Sequence, residues 1–308
     1  GKKLLNGDGV AIKKIEAAKY LRTAANKGNL EAIFIYGKML KLGDGVKQNL
    51  KNAAKYLKVA ADNNHIEAMF EYGQMLRKGE GVEENKKESN KYLRKSAEKG
   101  HIESMFEYGL MLRKGEGCEI NKTEGNKYIQ KSADLGYNKA MNIYGFILHI
   151  GDGISQNETE SMKYYKLSAD SGDINSKNIY GHYLQKQIND NPTTTDENII
   201  REAYRYLRES AEGGHIEGMY NYSLLLINDT KRSPKTPKTG EIGETGETQE
   251  TLETIELKRE AFRYLKIAST KGHQESLKLY NQMVNEYKNK TYIAYFPKGT
   301  PINQNIQI

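Results

Sequence analysis

His65, His101, His215 and His273 occupy one recurring position in the chain, a pattern that raises the question of a shared metal. Helices packed side by side lie ~8–10 Å apart, whereas imidazole nitrogens on one zinc each sit ~2 Å from the ion. Equivalent positions in successive repeats are therefore too far apart to share an ion. The expected role is a surface residue closing a turn. Turns of the form glycine, acid, glycine, apolar suggest phosphate instead: Gly7-Asp8-Gly9-Val10, Gly43-Asp44-Gly45-Val46, Gly79-Glu80-Gly81-Val82, Gly115-Glu116-Gly117-Cys118 and Gly151-Asp152-Gly153-Ile154. A Walker loop needs Gly-x-x-x-x-Gly-Lys-Ser/Thr after a strand, and a dinucleotide loop needs Gly-x-Gly-x-x-Gly opening a helix. Neither occurs at these turns. No serine, threonine or cysteine has an acid or base partner that the sequence places. Cys118 fills the slot of Val46 and Val82 and reads as a small buried hydrophobe. As the single cysteine, it leaves no disulfide framework within the chain and no Cys-rich zinc site. No catalytic residue, metal or cofactor is expected, and the chain is not read as an enzyme.

Composition points the same way. The 308 residues carry 47 basic and 40 acidic side chains, a net charge of +7 spread along the chain. Nucleic-acid binding calls for concentrated lysine and arginine with a recognisable reading element, so it is not expected. Hydrophobic residues make up 37% and the mean hydropathy is −0.79, which suits thin apolar seams better than one thick core. Apolar runs fall far short of the ~20 residues of a membrane span, and Gly1-Lys2-Lys3-Leu4-Leu5 does not read as a signal peptide.

The positioning elements are legible in the repeats. Tyr-Gly recurs at Tyr36-Gly37, Tyr72-Gly73, Tyr108-Gly109, Tyr144-Gly145 and Tyr180-Gly181, 36 residues apart, with the glycine turns following in register. The register then stretches to Tyr222-Ser223 and Tyr280-Asn281. Each period holds two helical patterns. In the first helix Ala68, Tyr72 and Leu76 fall on one face; in the second Ala53, Tyr56, Leu57 and Ala60 do. The second helix stops at Gly28, Gly100, Gly136, Gly172, Gly214 or Gly272, with Asn64 in the same slot of one unit. These are the residues that favour a left-handed C-terminal cap. The Tyr-Gly glycines lie inside the first helix, where each costs about 1 kcal/mol relative to alanine, which implies close helix contact. All five prolines (Pro192, Pro234, Pro237, Pro297 and Pro301) fall outside the repeat helices.

The order Ala-x-x-x-(Leu/Tyr)-Gly, Gly-x-Gly-Val, Ala-x-x-(Tyr/Trp)-(Leu/Tyr)-x-x-Ala-Ala, then Gly, resembles the Sel1-like repeat, a relative of the tetratricopeptide repeat. The resemblance covers nearly all of residues 1–290, with Ser223 and Asn281 as departures. It implies an all-α fold, a right-handed α-α superhelix (solenoid), acting as an adaptor or scaffold for protein–protein interaction. Similar proteins bridge components of signalling and of membrane-associated protein quality-control complexes, and some are fused to kinase domains. Two alternatives follow: a regulatory region of a larger protein such as a kinase fusion, or a luminal ER quality-control adaptor. A third, an enzyme like the secreted cysteine-rich relatives, fits poorly with one cysteine. A monomer in the cytoplasm is expected, with the lumen as the alternative. Glycans at the sequons Asn121, Asn157, Asn221, Asn228 and Asn289 would accompany the luminal reading.

The expected organisation is a partial repeat over 1–27, an array over 28–227, a disordered insertion over 228–256, final repeat helices over 257–290 and a tail over 291–308 that folds back on the last helix. A shorter loop is expected over 187–199. Gly1 is in register with Gly37, so the chain reads as part of a longer protein with repeats upstream. In the insertion, Ser233 and Thr236 each precede proline among lysines and could accept phosphate from a proline-directed kinase; an inert solvated loop is the plainer alternative.

The binding site is expected on the concave face, lined by first helices. With Ala68, Tyr72 and Leu76 inward, the opposite columns read Phe34, Lys38, Lys41; Phe70, Gln74, Arg77; Phe106, Leu110, Arg113; and Asn142, Phe146, His149. Aromatic rings beside basic heads suit an extended peptide with apolar and acidic side chains. The Phe rings either face that groove or pack between repeats. Arg77 and Arg113 are expected to be exposed, so that their replacement by glutamate abolishes partner capture without lowering the melting temperature.

Overall fold

Helix termini leave unsatisfied backbone groups, and the repeat supplies a partner for them at each end. In the computed structural model, which describes residues 1–6, 13–191, 196–232 and 252–288, asparagine caps open several second helices. Asn49, Asn85 and Asn121 accept from the amides of Asn52, Glu88 and Glu124, opening α4 (Leu50–Asp62), α6 (Lys86–Glu98) and α8 (Lys122–Asp134). First helices end on left-handed glycines: Gly43 closes α3 (Leu30–Leu42), Gly79 closes α5 (Ile66–Lys78), Gly115 closes α7 (Ile102–Lys114) and Gly151 closes α9 (Asn138–Ile150). Asn64, at φ 67°, holds the cap slot without glycine.

The helices form two units, Gly1–Tyr164 and Tyr165–Ile308. In the first, α1 (Lys2–Asn6) and α2 (Lys14–Asn26) precede the hairpins α3/α4, α5/α6 and α7/α8, then α9 and the start of α10 (Glu158–Asp170). In the second, α10 ends and α11 (Ile174–Asp190), α12 (Glu197–Glu212), α13 (Ile216–Arg232), α14 (Leu252–Thr270) and α15 (Gln274–Lys288) follow. Successive helices pack on one another from α1 to α9 in the first unit and from α11 to α15 in the second, so each unit is an all-α array of helical hairpins, with no strand among the described residues. The helices extend past four expected boundaries. α11 runs to Asp190, α12 starts at Glu197, α13 runs to Arg232 and α14 starts at Leu252, so each insertion is flanked by longer helix than its composition suggested. The Gly7-to-Val10 turn, Ser233, Thr236 and the tail lie outside the described residues.

The core follows the seam. Ala53, Leu57, Ala60, Ala68, Met75, Leu93, Met111, Ile129 and Ile147 are at most 1% exposed. The first-helix glycines are needed for this closeness: a β-carbon on Gly73 would lie 2.9 Å from Leu93 Cγ. Opposite Gly73 and Gly145, the hydroxyls of Ser89 and Ser161 donate to the glycine carbonyls at 2.7 and 2.8 Å. Where Ser223 replaces the glycine, its hydroxyl is satisfied at once by the carbonyls of Met219 and Ala261. Tyrosine pairs seal each hairpin edge to face, as in Tyr36–Tyr56 and Tyr72–Tyr92, both at 5.1 Å.

Candidate interaction face of the first helices

The basic residues expected to project from the first helices are instead bound to the next repeat. Lys41 Nζ lies 2.8 Å from Glu71 Oε2, with Lys38 Nζ 3.6 Å from the other oxygen. Arg77 Nη1 donates to Glu107 at 2.7 Å and its Nε to Glu116 at 2.7 Å. Arg113 reaches Asp152 at 2.5 Å and also donates to Asn126 Oδ1. The side chains of Arg77 and Arg113 are 18% and 14% exposed. Their expected exposure is therefore wrong: removing them breaks contacts between repeats, so the glutamate substitutions cannot separate binding from stability. The Asp152 carboxyl is held below its ordinary range, first by the hydrogen bond from Lys122, which with Arg113 outweighs desolvation.

The histidine column is also more structural than expected. His65, His101, His215 and His273 cap their first helices, with Nδ1 accepting from the amides of Ala68, Ser104, Gly218 and Ser276 at 3.3, 3.2, 2.9 and 3.1 Å. Asn29 and Asp173 hold the same slot with side-chain oxygens. The reading of these histidines as surface residues is corrected: they are N-caps, and the side chains of His65, His101 and His273 are only 11%, 16% and 14% exposed. Among the described residues no cluster of His, Cys, Asp or Glu could hold a metal ion. The rings of Phe34 and Phe70 rest on these caps, 4.3 Å from His65 and 4.8 Å from His101, and Phe106 rests on Tyr137 at 5.3 Å. Packing between repeats thus occupies three of the four phenylalanines.

Of the predicted column, the middle position of each first helix stays accessible, at Lys38, Gln74, Leu110 and Phe146, together with His149 on α9, 48% exposed. Phe146 is 49% exposed, beside Ile150 on the next turn of α9, also 49% exposed. Lys38 is 43% exposed, and Gln74 and Leu110 are half-buried. Cys118 is half-buried, its thiol pushed up by burial and met by Asn90 at 3.3 Å. Two sequons serve as caps, Asn121 for α8 and Asn157 for α10. Asn221 is 4% exposed and donates to Asn178, closed to modification.

Sequence reasoning missed the acidic half of the inter-repeat contacts: Glu71, Glu107, Glu116 and Asp152. A signal was present. Opposite charges recur 30 residues apart at Lys41/Glu71, Arg77/Glu107, Lys14/Asp44 and Lys122/Asp152, and 39 apart at Arg77/Glu116 and Arg113/Asp152.

The Sel1 repeat model matches seven segments, residues 4–29, 30–65, 66–101, 102–137, 138–173, 195–215 and 257–273. The chain belongs to the Sel1 repeat family. Among solved structures, c5321, a protective antigen present in uropathogenic Escherichia coli strains, shares the fold. It superposes with a TM-score of 0.68 at 21% identity, over 93% of this chain and 63% of that one. The Sel1 repeat protein from Oxalobacter formigenes superposes with a TM-score of 0.62 at 19% identity, over 92% of this chain and 73% of that one. This chain thus spans less than two thirds of the c5321 chain. No curated protein matches it. No helix among the described residues is long and apolar enough to cross a membrane.

Proposed function

We propose that this Sel1 repeat chain is a scaffold that holds a partner protein, or an extended peptide from one, on the exposed column of its first helices. The observation that carries the reading is the contrast within those helices. Positions that pack keep their residue types from repeat to repeat, as in Tyr36, Tyr72, Tyr108 and Tyr144, whereas the accessible column changes from Lys38 to Gln74, Leu110 and Phe146. A position that varies while its neighbours do not is free of the fold, and a half-exposed phenylalanine at its apolar end offers an anchor of the kind that dominates interface energies. The charged neighbours contribute less, because Lys41, Arg77 and Arg113 already have acidic partners. The partner favoured by this column carries an apolar side chain for Phe146 and an acid or acceptor for Lys38.

The experiment is affinity capture with the wild-type chain and with Phe146→Asp, read by mass spectrometry. Loss of a specific partner with an unchanged melting temperature supports the reading. Retention of every partner retires it. The same proposal sets the protein in the cytoplasm; a glycan on Asn157 in the native protein would contradict that placement.

A further inference from the structure

The outer faces of the second helices carry a row of lysines at one repeat position. In the first unit these are Lys19 on α2, Lys55 on α4, Lys91 on α6, Lys127 on α8 and Lys163 on α10, all exposed. Four residues on, an equally exposed position reads Thr23, Val59, Lys95, Lys131 and Leu167, so exposure alone does not impose lysine. Nor does the fold use the row. Lys127 and Lys163 pair with the glutamate three residues back on their own helix, at 3.5 and 3.2 Å, and Lys163 also lies 6.0 Å from the Tyr164 ring. Lys19, Lys55 and Lys91 meet no carboxylate among the described residues.

Geometry narrows what could bind there. The second helices touch along the row, as where the Tyr92 hydroxyl donates to Asp62 and the Tyr164 hydroxyl to Asp134. Neighbouring second helices meet through these long side chains, which sets successive lysines on the order of 10 Å apart. A polypeptide in the polyproline II form rises about 3.1 Å per residue with three residues per turn, so side chains three residues apart recur on one face at ~9 Å. Duplex DNA carries a phosphate charge about every 1.7 Å of axis, far denser than this row. Rows of acid flank the lysines on both sides: Glu88, Glu124 and Glu160 before them, Asp62, Glu98 and Asp134 after them. A flat anionic bilayer would meet those carboxylates as well, whereas a narrow chain can follow the lysines between them.

We propose that this row is a docking track for an extended, acid-rich segment of a partner protein, one carboxylate per repeat. It lies on the second helices and does not depend on the first-helix column binding anything.

The test uses the full chain and a fluorescent peptide of repeated Gly-Thr-Glu, read by anisotropy. The wild type should bind, more weakly as salt rises, because exposed charges are screened. Lys55→Glu, Lys91→Glu and Lys127→Glu together should weaken binding about tenfold or more, the size expected when like charges are juxtaposed at an interface. Lys78→Glu, Lys114→Glu and Lys139→Glu make the same change of net charge on first helices and should leave binding within about twofold, as distant screened charges do. A triple lysine-to-glutamine variant with an unchanged circular dichroism spectrum gives the same comparison if charge reversal disturbs folding. The proposal is overturned by no wild-type binding, by equal loss in both triple variants, or by equal binding of a peptide with the glutamates grouped at one end. Binding of phosphatidylserine vesicles or single-stranded DNA through these lysines, in the absence of peptide binding, overturns it too.

Discussion

A β-carbon placed on Gly81 would lie 2.3 Å from the carbonyl oxygen of Leu50. Gly81 sits at φ +73° in the turn between α5 and α6, and Leu50 begins α4 in the preceding hairpin. The turn glycine thus serves the contact between repeats as well as its own backbone. Gly100, at φ +95°, has nothing within 4 Å of the same added atom. Gly81→Ala should therefore be the more damaging of the two. Gly100→Ala meets only the left-handed strain, about 1–2 kcal/mol, and Gly81→Ala adds a backbone clash. Urea unfolding of both variants checks this, and equal losses would contradict it.

Arg77 should behave as a structural residue. Arg77→Met leaves Glu107 without its partner and Glu116 with only Lys114, 4.0 Å away, in a mostly buried setting. The cost should be about 1–3 kcal/mol, between the values typical of exposed and of buried pairs. Adding Glu107→Gln should recover part of it. A double-mutant cycle measures the coupling, and strictly additive losses would show that the pair contributes nothing.

The array itself was legible in the sequence because glycine, proline and tyrosine each mark a backbone or packing demand at a fixed offset. The 36-residue beat, the Gly28, Gly100 and Gly136 stops and the close approach at Gly73 all follow from residue type alone. The side-chain partners were not legible from one helix at a time. Whether Arg77 points to solvent or to Glu107 depends on how the next hairpin is rotated and shifted, which no pattern within α5 contains. The histidines were misread for a related reason: an imidazole nitrogen can take the place of the Asn29 or Asp173 oxygen, and the shared slot of the three residue types was the clue. The insertion boundaries moved because helix ends were read from composition, and polar residues such as Asn228 and Asp229 extend a helix as readily as a loop.

His215 gives a pH dependence of definite sign. Burial holds its pKa below the ordinary 6.5, against the opposing pull of Glu217 and Asp173. The folded state thus binds fewer protons there than the unfolded state. The stability is present above about 6.5 and declines as pH falls through the lower folded value. His215→Asn keeps a capping acceptor without a titrating ring. Its melting temperature should fall less between about pH 7 and pH 5 than that of the wild type. Parallel profiles would show that His215 carries none of the dependence.

Asp152 should add a second acid-labile contact at the α9/α10 turn. Lys122 and Arg113 hold its carboxyl below the ordinary 3.8, so the contact persists above that value and is lost as pH falls through the lower folded one. Asp152→Asn should lower the melting temperature at neutral pH, with the gap from wild type closing in strong acid. A gap that is constant with pH would contradict this origin.

Photo-crosslinking from the accessible column tests the scaffold role most directly. Benzoylphenylalanine is placed at position 74 or 146, and at Glu83, exposed in the turn between α5 and α6, as the reference. The account predicts a discrete protein adduct in cells from both column positions and none from position 83. Adducts absent from both column positions, or formed equally from all three, would contradict it.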